Sequence, residues 1–225
     1  AELEKFAADV AHELKNPLTS IKYANEILQK KDSNKEESKL NLIIDKDTTK
    51  MNKLISDISN YTRIKAKIDK LTDEKINIKE FLEEIVKNYR ENRKNIKINL
   101  RMDKGNFIIL GNYEKLAQLF SNVIDNAISF TPKNKSILIF FKKDENFGLI
   151  SIIDQGIGIN YQYKEKIFDR FYTDRINDDD MHSGLGLDIA KNIVESYKGS
   201  IYLDNKIIKG YEGACFVIKL PIKEA

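Results

Sequence analysis

Val10, Leu14, Pro17, Ile21, Ala24 and Leu28 follow one another at spacings of four and three. Leu40, Ile44, Met51, Leu54, Ile58 and Tyr61 repeat the rhythm, with the polar Asp47 filling one gap. That spacing places one apolar stripe along each of two helices, in the manner of a coiled-coil seam. The polar run "KKDSNKEES" between them reads as a turn, so the two helices form an antiparallel hairpin. A hairpin with one stripe per helix cannot bury both stripes alone. Two copies packed as a four-helix bundle are the natural solution.

Around residues 65 to 75 the pattern dissolves into "KAKIDKLTDEK", which reads as a linker, and the periods then mix. "INI", "IKINLRM", "SILIFFKK", "FGLISIID" and "ACFVIKL" have the alternating or continuous apolar character of strands. "KEFLEEIVKNYREN", "YEKLAQLFSNVIDNAISF" and the glycine-entered "GLGLDIAKNIVESY" read as helices. Strands and helices mixed without strict alternation predict an α+β arrangement with helices covering one face of a sheet. The expected fold is therefore multidomain, an all-α hairpin over residues 1–67 followed by an α+β domain over residues 68–225.

The bulk numbers exclude several classes. The 38 basic and 35 acidic side chains leave a net charge of only +3, spread along the chain, which is no footprint for nucleic acid. The single cysteine, Cys215, cannot form an internal disulfide and sits in an apolar strand-like run, where it reads as a small core residue. No run approaches the roughly 20 apolar residues of a membrane span. A reducing, cytoplasmic setting is expected, with no membrane contact within these residues.

The first helix carries an unusual stretch, "ADVAHELKNPLTS". At about 100° per residue, His12 lies nearly opposite Val10 and its apolar stripe. Asn16 follows one turn later on the same face, and Glu13 stands beside the ring. Pro17 removes the N–H that would bond the Glu13 carbonyl, so a bend is expected just after His12. An exposed imidazole is a good nucleophile near neutral pH, and an adjacent carboxylate holds the proton on the far ring nitrogen.

Three stretches in the second half suit a nucleotide. Gln118, Asn122 and Asn126 project amides from one helix face, and amide oxygens are hard ligands fit for Mg²⁺. "DQGIGI" sets Asp154 at a strand end, where it can accept a hydrogen bond from an exocyclic amine, and follows it with Gly156 and Gly158. "HSGLGLDIAKNIV" puts Gly184 and Gly186 at a helix start, whose free N–H groups suit phosphate oxygens. Between the last two, "KIFDRFYTDRINDDDMHS" offers Phe168 and Phe171 as core anchors and a polar second half, about 172–183, as a mobile lid.

"FAADVAHELKNPLTSIK" resembles the phospho-acceptor box of bacterial sensor histidine kinases of the HisKA type. The later order is similar to the N, G1, F, G2 and G3 boxes of their ATP-binding domain, a fold of the Bergerat type shared with Hsp90, DNA gyrase B and MutL. That order runs from an amide-rich helix through D-x-G-x-G, F-x-x-F and G-x-G-L to a terminal "GACF" strand. The resemblance covers essentially the whole chain. It implies a dimerisation and histidine phosphotransfer domain over 1–67 and a catalytic ATP-binding α+β sandwich over 68–225. It implies that ATP phosphorylates His12 with help from Glu13, and that the phosphoryl passes to an aspartate of a response-regulator receiver domain. Asn16 matches the position that in relatives helps water remove phosphate from that aspartate. Asn122 and Asn126 would hold Mg²⁺ and phosphates, Asp154 would read adenine, and Gly156, Gly158, Gly184, Leu185 and Gly186 would shape the pocket.

Two departures qualify the match. Relatives often carry Lys-Tyr where this chain has Ser129-Phe130, so Arg175, or Arg170, is expected to supply the missing cation. In Hsp90-like ATPases a Glu corresponding to Asn122 activates water. An amide cannot act as that base, so ATP should survive for transfer to a better nucleophile. The rival reading is an ATP-binding scaffold or switch of the same fold with no kinase output.

Overall fold

The structure is a computed structural model that describes residues 2–28, 34–67, 72–92, 97–172, 183–205 and 208–224. The chain divides into two compact units, one of residues 1–66 with 171–185, the other of 67–170 with 186–225.

The first unit holds two helices, α1 (Glu2–Leu28) and α2 (Asn34–Lys67). Pro17 lies inside α1 without ending it. The expected turn is shorter than its polar composition suggested, since α2 begins at Asn34 within that run. Glu37 then falls in its first turn, where an acid suits the helix dipole. Phe6, Pro17, Ala24 and Leu54 are buried, while most remaining stripe positions are half-exposed. Leu18, Tyr23, Ile27, Leu42, Ile43 and Ile55 stand open to solvent. Among the described residues no helix is long and apolar enough to cross a membrane.

The second unit is a layer of helices against a sheet. Its elements are β1 (Glu74–Asn77), α3 (Ile78–Asn92), β2 (Lys97–Met102), β3 (Phe107–Gly111), α4 (Tyr113–Phe130), β4 (Ser136–Asp144) and β5 (Phe147–Ile153), followed by α5 (Gly186–Ser196), β6 (Ser200–Asp204), β7 (Cys215–Pro221) and β8 (Lys223–Glu224). The linker expected over 65–75 is trimmed at both ends, by α2 running to Lys67 and by β1 starting at Glu74. The main sheet runs β2-β4-β5-β7-β6, with β2 parallel to β4 and the other pairs antiparallel. A smaller antiparallel sheet has the order β1-β3-β8.

One face of the main sheet, with Ile137, Ile139, Phe141, Ile150, Ile152, Phe216, Ile218 and Leu220, is almost wholly buried, and α4 and α5 pack against each other in the helix layer. Helices cover one face, as expected, and the other face is not bare. Leu138, Ile153, Cys215 and Val217 form a second buried cluster, with Phe140, Leu149, Ile208 and Tyr211 packed on it. This explains why β4, β5 and β7 read as continuous apolar runs: strands buried on both faces lose the alternation.

Helix α4 is set at both ends by side chains. The Asn112 side-chain Oδ1 accepts the Lys115 amide at 3.1 Å at its start. At its end Thr131 takes an extended conformation before Pro132 and its hydroxyl donates to the Ala127 carbonyl at 2.7 Å. Its registration matters because its polar face carries the candidate amides.

Candidate functional site

Asp154 follows the last residue of β5 and is only 1% exposed. Oδ1 accepts two backbone amides, Gly156 at 2.8 Å and Ala214 at 3.0 Å. The main chain is clamped as well: the Asp154 amide donates to Ala214 at 3.0 Å and the Gly213 amide donates to Asp154 at 3.2 Å. Burial pushes the carboxyl above its ordinary range, and the two amide bonds pull it partly back. A carboxylate held in this state is a strong acceptor for a donor that enters the same desolvated place.

Gly213 makes that clamp possible. A Cβ there would lie 1.8 Å from Asp154 Oδ1 and 2.6 Å from the Gly156 amide nitrogen. No side chain fits without displacing the carboxylate. The "GACF" strand was legible in the sequence, but this role of its glycine was not, because only the pairing of β5 with β7 brings residues 154 and 213 together.

Gly156 sits against the end of α4, where a Cβ would come 2.5 Å from the Phe130 carbonyl. Gly158 and Gly184 both have left-handed φ angles, 74° and 71°. At Gly184 a Cβ would also meet the Phe171 backbone at 2.6 Å, and the Phe171 amide donates to the Gly184 carbonyl at 3.0 Å. Phe171 is itself left-handed and half-buried, whereas Phe168 is the core anchor the sequence predicts, edge-on to Phe216 at 6.3 Å. Leu185 is fully buried.

The amide face of α4 lies beside the start of α5. Gln118, Asn122 and Asn126 are all half-buried, and Asn122 lies 3.9 Å from the Cβ position of Gly186, the first residue of α5. Asn122 Nδ2 is buried without a hydrogen-bond partner. An orphaned amide of this kind is a group waiting for a ligand or water. Asn126, one turn on, has a carbonyl that accepts the Ser129 hydroxyl at 2.7 Å. Among the described residues no group of three or more His, Cys, Asp or Glu side chains could hold a metal, so a cation here would depend on amide oxygens and its ligand's own oxygens.

Arg170 Nε donates to Asp188 Oδ2 at 3.2 Å, and both side chains are largely buried. The alternative cation weighed for the Ser129-Phe130 departure is therefore committed to the first turn of α5. Arg175 lies in residues 173–182, outside the described residues, as does most of the expected lid.

In the helical unit, His12 is exposed, with its Nδ1 3.6 Å from Glu13 Oε1. That is too long for a hydrogen bond but close enough for the carboxylate to bias the ring. Asn16 is exposed one turn further along α1.

Residues 111–224, half of the chain, match the family model described as histidine kinase-, DNA gyrase B- and HSP90-like ATPase. The chain belongs to this family. Residues 2–67 match the His Kinase A (phospho-acceptor) domain, and the pair makes this a sensor histidine kinase core. It is 34% identical to the sensor protein ChvG of Rhizobium meliloti (strain 1021) over 98% of this chain and 41% of that protein. It is 30% identical to the sensor protein kinase WalK of Staphylococcus haemolyticus (strain JCSC1435) over 98% of this chain and 37% of that one. The chain thus spans about two fifths of the length of these curated relatives. Among solved structures it resembles the histidine kinase ThkA in complex with response regulator protein TrrA, at TM-score 0.69 and 23% identity over 97% of this chain and 61% of that one. Full-length ShkA in complex with AMPPNP gives TM-score 0.64 and 21% identity over 98% and 46%. At such identities the two structures establish the fold alone.

Proposed function

We propose that this chain is the autophosphorylating core of a sensor histidine kinase. One contrast carries the reading: a nucleophile left open at His12 and an acceptor desolvated at Asp154, on one chain. Asp154 Oδ1 is spent on two amides, which leaves Oδ2 to receive the exocyclic amine of adenine. Gly156 and Gly158 line the base, and Gly184, Leu185 and Gly186 present the start of α5 to the phosphates. Asn122 and Asn126 offer the oxygens for Mg²⁺, and the orphaned Asn122 amide fits a site that is completed by its ligand. Mg²⁺, when bound, neutralises charge on the phosphates. Arg175 is the candidate for a further positive charge.

His12 supplies the chemistry. With the ring proton on Nδ1, the nitrogen nearer the Glu13 carboxylate, the Nε2 lone pair attacks the γ-phosphorus. The bond from phosphorus to the bridging oxygen breaks and ADP leaves with that electron pair. The phosphoryl then rests on Nε2 and the Nδ1 proton is shed toward Glu13. Transfer to an aspartate of a response-regulator receiver domain follows, and Asn16 is placed to position water for the reverse, phosphatase, direction. The domain boundary falls at 67/68, with a homodimer formed through the helical hairpin, and the core works on the cytoplasmic side of a membrane-anchored sensor.

Incubation with γ-labelled ATP tests the reading. Label that is acid-labile, base-stable and absent from His12→Gln supports it. Bound nucleotide with no label identifies a scaffold, and free phosphate with no protein label identifies an ATPase; either result overturns the kinase assignment.

A further inference from the structure

Asn99, Leu138, Ile153, Cys215 and Asp204 are register partners in one row across the main sheet, on the face away from the helices. Register partners share a face. Residues 208–214, which lead into β7, fold back over this row. Ile208 and Tyr211 rest on the cluster of Leu138, Ile153, Cys215 and Val217, and the Tyr211 amide closes a turn on the Ile208 carbonyl at 2.7 Å. The Tyr211 hydroxyl accepts Asn99 Nδ2 at 2.7 Å, on the opposite edge strand. The segment is therefore a strap tied down at the far side of the sheet.

The strap is also tied to the residue beside Asp154. Gln155 Oε1 accepts the Ser136 amide at 2.6 Å, and Gln155 Nε2 donates to the Gly210 carbonyl. The Ser136 hydroxyl lies 3.1 Å from Gln155 Oε1 and 3.2 Å from the Tyr211 hydroxyl. With Tyr211 donating to Ser136 and Ser136 to Gln155, each hydroxyl proton is used once and the ring of bonds closes from Asn99 to Gly210. Two residues beyond Tyr211 comes Gly213, which presses on Asp154 Oδ1.

We propose that Tyr211 and Gln155 are positioning residues for nucleotide specificity: the strap they lock holds Gly213 and Ala214 against Asp154 and so fixes the carboxylate that distinguishes an amino-purine from an oxo-purine. This rests on the reading of Asp154 as the adenine reader. The sheet ladder fixes β7 from Cys215 onward, and the two main-chain bonds to Asp154 carry the pairing back to Gly213; the Tyr211–Asn99 bond and the Gln155–Gly210 bond hold the residues just before that clamp. Losing them leaves that clamp to the main-chain bonds alone, so the Ala214 amide drifts on Oδ1 and the carboxylate turns its second oxygen out of line. ATP loses affinity, whereas ITP, which presents a carbonyl where adenine has its amine, loses little because that carbonyl was never welcome.

The experiment is titration of the full chain with ATP and with ITP, in Mg²⁺, for four variants: Tyr211→Phe, Asn99→Ala, their double, and Asp154→Asn. Tyr211→Phe keeps the ring on the apolar cluster and removes only the hydroxyl. Asn99 is exposed, so its truncation leaves the core intact should the tyrosine variant fold poorly. Tyr211→Phe and Asn99→Ala should each narrow the ATP-to-ITP preference about fivefold, the effect of one good hydrogen bond. The double variant should add little to either. Equal weakening of both nucleotides, or an unchanged preference, makes the strap merely structural and overturns the proposal. Asp154→Asn separates the two claims. Its Oδ1 can keep both amides while its Nδ2 faces the base, so preference should swing toward ITP. An unchanged ratio in Asp154→Asn sinks the adenine-reader assignment itself; a swing there with no change in Tyr211→Phe sinks only the strap.

Discussion

The two groups to which the proposal gives the chemistry sit in opposite surroundings: the His12 side chain is 73% exposed on a helix, and Asp154 is 1% exposed at the end of a strand. A phosphoryl acceptor has to meet first its donor and then a second protein, so its ring must stay in water. A base reader has to discriminate by hydrogen bonding, which is strong only where water is excluded. The surrounding units follow suit. The α/β unit completes its own core, with Phe120, Ile124, Ile139 and Phe216 at 0% exposure. The helical unit leaves Leu18, Ile27, Leu42 and Ile55 uncovered. One finishes folding on its own residues; the other leaves apolar side chains uncovered, as the proposed pairing with a second copy requires.

The sharpest way to break this contrast is Gly213→Ala. A methyl group 1.8 Å from Asp154 Oδ1 must expel the carboxylate, so ATP binding should fall below detection by calorimetry while helix content is kept. Retained binding would mean that Asp154 needs no clamp. His12→Gln is the mirror image: label from γ-labelled ATP should drop to background with nucleotide affinity and melting temperature unchanged, because nothing packs on an exposed ring.

Smaller effects separate the cores. Phe216→Ala should cost about 3–5 kcal/mol by denaturant unfolding, independent of protein concentration. Leu54→Ala in α2 should cost about 2–5 kcal/mol, with a midpoint that depends on concentration, as for a core shared between copies. A concentration-independent Leu54→Ala transition would show the hairpin to be self-sufficient.

The smallest effect is in pH. The folded state raises the Asp154 pKa, so it holds that proton more tightly than the unfolded chain does, and stability falls as pH rises through the window above 3.8. Asp154→Asn lacks this burden. Its unfolding free energy relative to the parent chain should grow between about pH 4 and about pH 7, and a flat difference would mean that the carboxylate is not desolvated.

The sequence disclosed the parts that depend on local spacing. The i, i+4, i+8 amides of α4 need only helical geometry, and α4 spans the "YEKLAQLFSNVIDNAISF" run from end to end. His12 opposite its apolar stripe needs no more. What it concealed depends on residues far apart in sequence. Tyr211 and Asn99 are separated by 112 positions, and no local pattern marks a loop tyrosine as a strap. The short strands β3 and β6 went unread, because "FIILG" and "SIYLD" are short runs whose strand character is fixed by neighbours. The second buried face was half-visible: "ACFVIKL" runs apolar without alternation, and that run asked for a cover, to which Ile208 and Tyr211 contribute.

The Arg170–Asp188 ion pair has a longer reach. It joins positions 18 apart in sequence and fixes both feet of the span between them to one spot at the head of α5. Once the feet are fixed, doubling the length of such a span adds only about 0.6 kcal/mol of closure entropy. A change in the number of residues between positions 172 and 183 is therefore a small entropic matter for the head of α5.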